Sequence, residues 1–482
     1  MNVQPTPSQS PIVVDMDGAL VKTDMLVEGI AQALFQRPLA LLAALPSMLK
    51  GRAAFKEAIA AIAYVDPRQV PVREELVTYL RAAREAGRPI YLYTAGDHSV
   101  AEAVAGRLQL FDGARGSRTG HNMKGPKKLA AIQADIGFHF TYAGDSHADL
   151  PVWRAASGII LSGAPGNVAR KARLLPAPIE AEFPPEPAGI AAWVQALRLH
   201  QWSKNLLIFV PLILAHTYGD LRAILACLAG FLLLGLGASG TYILNDLSDI
   251  TADRMHRTKR ERPFAAGRLP VIQGLIVAPL LILGALAGGL ALSPGFGGLL
   301  FLYFVLTLGY SFGLKRVAML DVALLGALYT IRLMMGTVLA GGAVSPWLLV
   351  FASFFFFSLS LAKRHVELIK AAEMPPGSVI PGRGYLSSDW PLTLAIGTAS
   401  CAAAILVLVL YLVNDAMPQG AYSASHYLWA APVLVALWTL RVWLFAHRGD
   451  LHDDPVAFAI KDRVSLALGA ILAVFFTLAV VA

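Results

Sequence analysis

Carboxylates recur in this chain at the ends of short apolar runs. Pro11-Ile12-Val13-Val14 leads into Asp15-Met16-Asp17-Gly18, and Phe138–Ala143 leads into Gly144-Asp145-Ser146-His147-Ala148-Asp149. Between them, Arg88–Thr94 ends in a hydroxyl, and Lys124, Lys127 and Lys128 lie ahead of the second acidic group. Further on, Asn245, Asp249 and Asp253 stand at i, i+4 and i+8, with Asp246 beside the first. That spacing puts their oxygens on one helix face. Such oxygens repel one another unless a cation sits among them, and Mg²⁺ bridging a pyrophosphate is the natural partner. Arg254, Lys259 and Arg262 follow and can take further phosphate oxygens. A solvated loop on the cytoplasmic side of a membrane would explain the basic residues, but not acids at four-residue intervals.

The first set of residues needs a sheet to position it. Ile12–Val14, Arg88–Thr94 and Phe138–Ala143 are rich in apolar and β-branched residues and read as buried strands. Helical patterns over Glu74–Ala86, Ser99–Leu108 and Lys127–Ala134 alternate with them. A βαβ series predicts an α/β, Rossmann-like domain with a parallel sheet over residues 1–173. In such sheets ligands bind at the carboxyl ends of the strands, where these acids fall. Residues 174–192 hold several prolines and acids and read as a linker.

The second set lies in a different kind of chain. Over 482 residues, 56% are hydrophobic and 15% charged, with a mean hydropathy of +0.58. Soluble domains average about 25% charged residues, so an ordinary cytosolic enzyme and a disordered chain are both excluded. Residues 1–200 hold 21 Lys/Arg and 18 Asp/Glu, against 19 and 14 in residues 201–482. The net charge of +8 suits anionic substrates and lipid headgroups. No nucleic-acid partner is expected, because the charges are not clustered with stacking aromatics. Cys227 and Cys401 lie in apolar runs, so neither a disulfide framework nor a cysteine-ligated metal is expected.

Residues 193–482 read as an all-α membrane domain of nine transmembrane helices. The segments lie at about 204–218, 221–244, 271–292, 297–313, 318–340, 346–362, 391–413, 427–446 and 464–482, the first of them short. Basic residues concentrate between segments two and three, four and five, six and seven, and eight and nine. Lys and Arg favour the cytoplasm. The expected location is therefore the inner (plasma) membrane of a bacterial-type cell. The N-terminal domain and both candidate sites would be cytoplasmic and the C-terminus outside.

The order DxDG (Asp15, Asp17), Thr94, a lysine, and GDxxxD (Asp145, Asp149) resembles the haloacid-dehalogenase-like phosphatases. The resemblance implies that Asp15 attacks phosphorus to form an aspartyl-phosphate, and that Asp17 protonates the leaving oxygen and then activates water. Asp15, Asp145 and Asp149 would hold Mg²⁺. Thr94 and either Lys124 or Lys127 would hold the phosphoryl oxygens. Domains of this family often carry a helical cap, and residues 25–85 would fill that role.

From about residue 195 onward, the nine segments and the run NDxxDxxxDRxxRTKxxRP resemble the UbiA-type intramembrane transferases. Tyr310-Ser311, Lys315 and Asp321 match the family's second motif, while position 325 is Leu where an acid is usual. Gln201-Trp202-Ser203-Lys204-Asn205, Asp321 with Arg332, Lys363-Arg364-His365-Val366-Glu367 and Lys461-Asp462-Arg463 are similar to one branch, the polyprenyl-phosphate phosphoribosyltransferases. The resemblance implies phosphoribosyl pyrophosphate as donor and a polyprenyl phosphate lipid as acceptor. Mg²⁺ would sit on Asn245, Asp246, Asp249 and Asp253, with Asp249 and Asp253 catalytic. Lys204, Arg254, Lys259, Arg262, Tyr310, Lys315, Asp321, Lys363 and Arg364 would bind the substrates, the basic ones among them holding phosphate oxygens. Arg332 would be catalytic, since a charge at that depth in a span is costly and usually functional. Transfer leaves a 5-phosphate that the phosphatase domain could remove. The alternative is transfer of a prenyl group from a diphosphate to an aromatic or other acceptor, with an accessory phosphatase. A transporter or lipid-binding protein would not need paired acids in both halves.

Overall fold

The computed structural model describes residues 10–63, 65–67, 69–118, 122–186, 189–342, 345–371, 374–375, 377–380, 382–418, 420, 422–451 and 455–481. The chain divides into two units. One takes Met1–Leu197 with Tyr242–Ala278, the other Arg198–Thr241 with Pro279–Ala482.

The first unit is built on six strands, β1 (Ile12–Val14), β2 (Ile90–Asp97), β3 (Gly113–Ser117), β4 (Thr141–Gly144), β5 (Gly158–Ser162) and β6 (Ile179–Phe183). All run parallel, in the order β3-β2-β1-β4-β5-β6. Its helices are α1 (Met25–Gln36), α2 (Pro38–Ala44), α3 (Arg52–Ile62), α4 (Glu74–Glu85), α5 (His98–Leu108), α6 (Pro126–Asp135), α7 (Leu150–Ala155), α8 (Gly166–Ala172) and α9 (Ile190–Leu197). β1 explains why the fold forms. Ile12 and Val14 pack with Leu76, Val77, Leu80 and Val104 on one face, and Val13 packs with Ile132, Trp153 and Ile159 on the other. All three β1 side chains are fully buried, which contributes about 1.5–3 kcal/mol each. A strand covered on both faces reads as a continuous apolar run. β1 pairs with β2 on one side and β4 on the other, so the strand order reverses beside it. That reversal opens a crevice at the strands' carboxyl ends.

The structure alters three expectations here. The helical insertion ends at Ile62, because α4 packs its Leu76, Val77 and Leu80 onto the sheet. The third expected strand begins only at Thr141, since Phe138 is exposed. The stretch read as a linker contains β6, with Ile179, Ala181 and Phe183 packed against the two cores. β6 is an edge strand, where proline-bordered sequence is tolerated.

The remaining helices are α10 (Val210–Leu214), α11 (Leu221–Ser248), α12 (Ile250–Met255), α13 (Val271–Leu292), α14 (Pro294–Phe312), α15 (Leu320–Ala340), α16 (Pro346–Ala371), α17 (Trp390–Tyr411), α18 (Ala430–Arg448), α19 (Pro455–Lys461) and α20 (Arg463–Val481). Among the described residues, eight helical stretches are long and apolar enough to cross a membrane. The first expected span is not one of them. Leu199–Phe209 is a 3₁₀ helix, followed by the five-residue α10. Pro211 lies in α10, and a proline has no N–H to donate to a preceding turn. Within the second unit α15 is the most enclosed span, its Val322, Tyr329 and Leu333 packing against Ala352, Phe356, Leu359 and Trp443.

Candidate active site

β1 delivers Asp15 and β4 delivers Asp145 to the crevice, while Thr94 sits within β2. Asp15, Asp145 and Asp149 each bring a carboxylate oxygen within 4.8 Å of the others, and this is the one such acidic group among the described residues. Three carboxylates this close repel one another, and an oxygen-only donor set of this kind fits Mg²⁺. The lysine that the structure brings to Asp15 is Lys128, with Nζ 2.7 Å from Asp15 Oδ2 and 3.7 Å from Asp149 Oδ1. Lys124 and Lys127 are both exposed, although Lys124 still borders the crevice. Lys128 shares a buried face of α6 with Ile132, one turn on. That helical phase is the signal that separates it from its neighbour.

Asp149 holds the loop in shape. Its Oδ2 accepts from the backbone N–H groups of Asp145 and Ser146 at 3.2 and 3.0 Å, and its Oδ1 accepts from the Tyr142 hydroxyl at 2.8 Å. Gly18 sits at φ +81°, and a Cβ there would come within 2.1 Å of Asp145 Oδ2. The turn after the two acids therefore requires glycine. Asp15 Oδ1 accepts from the Met16 N–H at 2.8 Å, and Asp17 Oδ1 from the Met25 N–H at 3.1 Å. Thr94 is fully buried, its hydroxyl accepting from the Gly96 N–H at 2.8 Å.

Burial pushes the Asp17 carboxyl up to about 7, helped by the nearby Asp24 carboxylate. A carboxyl that keeps its proton near neutrality can donate it to a leaving oxygen. Burial also raises Asp15 to about 6, with the Lys128 ammonium opposing it. Asp145 is pushed well above the ordinary carboxylate range by burial and by the Asp15 and Asp149 charges. All three shifts report crowded, desolvated carboxylates.

A cavity of about 580 Å³ lies over these acids. Lys56, Lys124 and Lys128 border its polar part. Leu26, Val27, Ile59 and Ala60 of the helical insertion line it too, with Ala63 just after it, as do Pro270, Val271 and Ile272, where α13 begins.

The second acidic motif straddles the end of α11 and the whole of α12. Backbone bonds from the Asp249 N–H to Asn245 O (2.9 Å) and from the Asp253 N–H to Asp249 O (2.8 Å) carry the helical phase across the break. Asn245 Nδ2 donates to Asp249 Oδ2 at 3.2 Å. Arg262 Nη1 reaches both Asp246 Oδ1 (3.1 Å) and Asp253 Oδ2 (2.6 Å). Arg262 thus neutralises the acids it was expected to stand beside. Lys259 is exposed. Arg254 departs from expectation altogether. It is buried against both carboxylate oxygens of Glu28 in α1 and donates to Ala265 O, so its side chain is engaged within the protein.

In the second unit Arg332 is buried, donating to Asn205 Oδ1 (3.0 Å), Tyr303 Oη (2.9 Å) and Leu328 O (2.6 Å). These acceptors are neutral. The carboxylate of Asp321 instead takes Arg364, with Nη2 at 2.7 Å and Nε at 2.9 Å, and the Tyr385 hydroxyl at 2.7 Å. Arg364 also meets Glu367, which faces Arg383, and Arg383 donates to Tyr310 Oη at 3.1 Å. Arg364 is therefore tied up in protein contacts rather than open to a phosphate. Lys204, Lys315 and Lys363 are half-buried in the same unit. Sequence reasoning missed Lys128 as the partner of Asp15, together with Tyr142, Glu28, Tyr303, Arg383 and Tyr385. A polar or charged side chain in apolar surroundings was the available signal for several of them.

Residues 206–467 match the model of the UbiA prenyltransferase family, and residues 12–154 that of haloacid dehalogenase-like hydrolases. An uncharacterised protein of Sinorhizobium fredii is 45% identical over 469 residues, covering 97% of this chain and 91% of that protein. Nodulation protein NoeC of Azorhizobium caulinodans is 34% identical over 290 residues, covering 59% and 92%. Decaprenyl-phosphate phosphoribosyltransferase of Mycobacterium tuberculosis is 32% identical over 282 residues, covering 57% and 89%.

Proposed function

Because the chain belongs to the UbiA prenyltransferase family and carries a haloacid dehalogenase-like domain ahead of its membrane helices, we propose that it is a bifunctional membrane enzyme acting twice on one lipid. The membrane domain transfers a 5-phosphoribosyl group from phosphoribosyl pyrophosphate to polyprenyl phosphate. The N-terminal domain then removes the 5-phosphate, giving polyprenyl-phosphate ribose. Similarity to decaprenyl-phosphate phosphoribosyltransferases supports the first step. The cavity over Asp15 carries the second. Its polar end suits a phosphate monoester, and its apolar wall runs to the first turn of a helix long enough to span a bilayer.

In the transfer, the lipid phosphate oxygen attacks C1 of the ribose and pyrophosphate leaves. Asn245, Asp246, Asp249 and Asp253 would hold Mg²⁺ there. Lys204, Lys259, Lys315 and Lys363 would bind anionic oxygens, and Arg332 would offset developing charge. In the hydrolysis, Asp15 attacks phosphorus as Asp17 protonates the departing sugar oxygen. Asp17 then takes a proton from the water that cleaves the aspartyl-phosphate, releasing phosphate. Lys128 and Thr94 steady the phosphoryl oxygens. Asp15, Asp145 and Asp149 would hold Mg²⁺, whose charge offsets the repulsion between carboxylate and phosphate. One chain bearing both sites raises the effective concentration of the intermediate at the second. The basic connections support a cytoplasmic position for both sites at a bacterial plasma membrane.

The test incubates purified protein with phosphoribosyl pyrophosphate and polyprenyl phosphate, comparing Asp15→Asn with wild type. The variant should accumulate the 5-phosphorylated lipid and the wild type the dephosphorylated one. Identical products would overturn the scheme. The family match keeps a second reading alive, prenyl transfer from a diphosphate to an aromatic or other acceptor. Labelled prenyl diphosphate, run beside labelled phosphoribosyl pyrophosphate, separates the two.

A further inference from the structure

The helical insertion of the first unit carries an apolar face that is left exposed among the described residues. Leu41 and Ala44 turn inward and pack near Phe55 and Ile59. Leu39, Leu42, Leu45, Met48 and Leu49, in α2 and the 3₁₀ turn after it, are 80, 61, 44, 57 and 92% exposed. A short helix that is apolar all round, in a unit otherwise built like a soluble enzyme, leaves too much apolar surface in water.

Three observations say what covers it. The face is bordered by exposed Arg37 and Lys50, and no acid occurs between Glu28 and Glu57. Apolar residues edged by positive charge are what an anionic lipid surface attracts. The unit is also held at a bilayer by its own chain, because Tyr242–Ala278 joins two helices of membrane-spanning length, α11 and α13. Finally, the insertion and the first turn of α13 line the same cavity, Leu26 and Ile59 with Val271 and Ile272. The insertion therefore lies beside the residues at which the span-length helix α13 begins.

We propose that Pro38–Lys50 is a membrane foot. Its leucines sit in the headgroup and upper acyl layer of the anionic leaflet, and they hold the mouth of the phosphatase cavity against the lipid. The proposal needs the chain to be a membrane protein, but not any particular substrate.

Both native cysteines are buried, so a thiol-reactive dye can be directed to an introduced one. Leu42→Cys and, separately, Leu49→Cys are labelled with an environment-sensitive fluorophore in the full chain. The protein is reconstituted into phosphatidylglycerol–phosphatidylcholine vesicles, with Arg81→Cys, on the exposed side of α4, as the control. Both leucine-site labels should emit at shorter wavelength than the control. They should lose most of their emission to lipids carrying a nitroxide near the headgroup, and little to aqueous iodide. Labels at 42 and 49 that respond like the one at 81 would overturn the proposal. So would shielding that rises with the protein-to-lipid ratio and is untouched by nitroxide lipid, since that marks a contact between copies of the chain.

Discussion

Arg254 lays its guanidinium along the Glu28 carboxylate, Nη1 to Oε2 at 2.8 Å and Nη2 to Oε1 at 2.6 Å, with both side chains almost fully buried. Gln32, one turn further along α1, donates to the Thr251 hydroxyl at 2.9 Å. The first helix of the phosphatase insertion is therefore clamped onto α12, the helix that carries Asp253. A bidentate pair out of water is held by geometry as well as charge. Removing one partner strands the other charge, which costs about 3–5 kcal/mol. Glu28→Ala should destabilise the detergent-solubilised protein by about that much, read as a lower unfolding midpoint. Replacing both partners together, Glu28→Leu with Arg254→Met, should recover most of the loss. A single variant that melts like wild type would show that the pair holds nothing.

Lys128 is buried between Asp15 and Asp149, whereas Lys127 is exposed. Lys128→Met should cut phosphatase turnover about 10²–10³-fold, the usual effect of losing one oriented donor at a developing anion. Lys127→Met should change it by less than about threefold, within the range of an exposed charge. Phosphate release and lipid-linked ribose formation, measured on the same samples, distinguish a lost phosphatase from a misfolded chain.

These two lysines also mark where the sequence stops being informative. The β1 strand and its acids were legible because a buried parallel strand is a continuous apolar run, and Asp15 and Asp17 end it abruptly. Choosing among Lys124, Lys127 and Lys128 needed the phase of α6 against the sheet. β6 was hidden by bordering prolines, although Ile179, Ala181 and Phe183 alternate with Glu180 and Glu182. The roles of Arg254 and Arg364 were misread because their partners are remote in the chain, Glu28 by 226 residues and Asp321 by 43. A basic residue in a phosphate-handling motif looks like a ligand for phosphate until its carboxylate is found.

Gly18→Ala tests the turn itself. The substitution combines a positive φ of +81° with a Cβ 2.1 Å from Asp145 Oδ2. Asp145 must move, and the three-carboxylate group must open with it. Phosphatase turnover should fall by at least about tenfold, while transfer to polyprenyl phosphate is retained. Retained phosphatase activity would show that Asp145 does not need its present position.

The same group predicts a metal requirement. With Asp15, Asp145 and Asp149 converging within 4.8 Å, chelation should abolish phosphate release and added Mg²⁺ should restore it. Asp145→Asn removes one charge from the set. Its half-saturating Mg²⁺ concentration should rise by about ten- to a hundredfold, on the scale seen when metal sites lose supporting groups. Unchanged Mg²⁺ dependence in Asp145→Asn would remove Asp145 from the site.

Arg332 offers the sharpest test of the membrane domain. Its guanidinium donates to Asn205, Tyr303 and the Leu328 carbonyl, and it lies 4.9 and 5.3 Å from the Tyr303 and Tyr329 ring centroids. A charge buried among neutral acceptors and ring faces retains most of its attraction for an anion, because among the described residues no carboxylate pairs with it. Lysine keeps the charge but not the planar fork, so it cannot reach all three acceptors at once. Arg332→Lys should leave the fold intact, read by the unfolding midpoint, while transfer to polyprenyl phosphate drops about 10²-fold. Arg332→Leu removes the charge and should lose more. Transfer at the wild-type rate in both variants would reduce Arg332 to a packing residue.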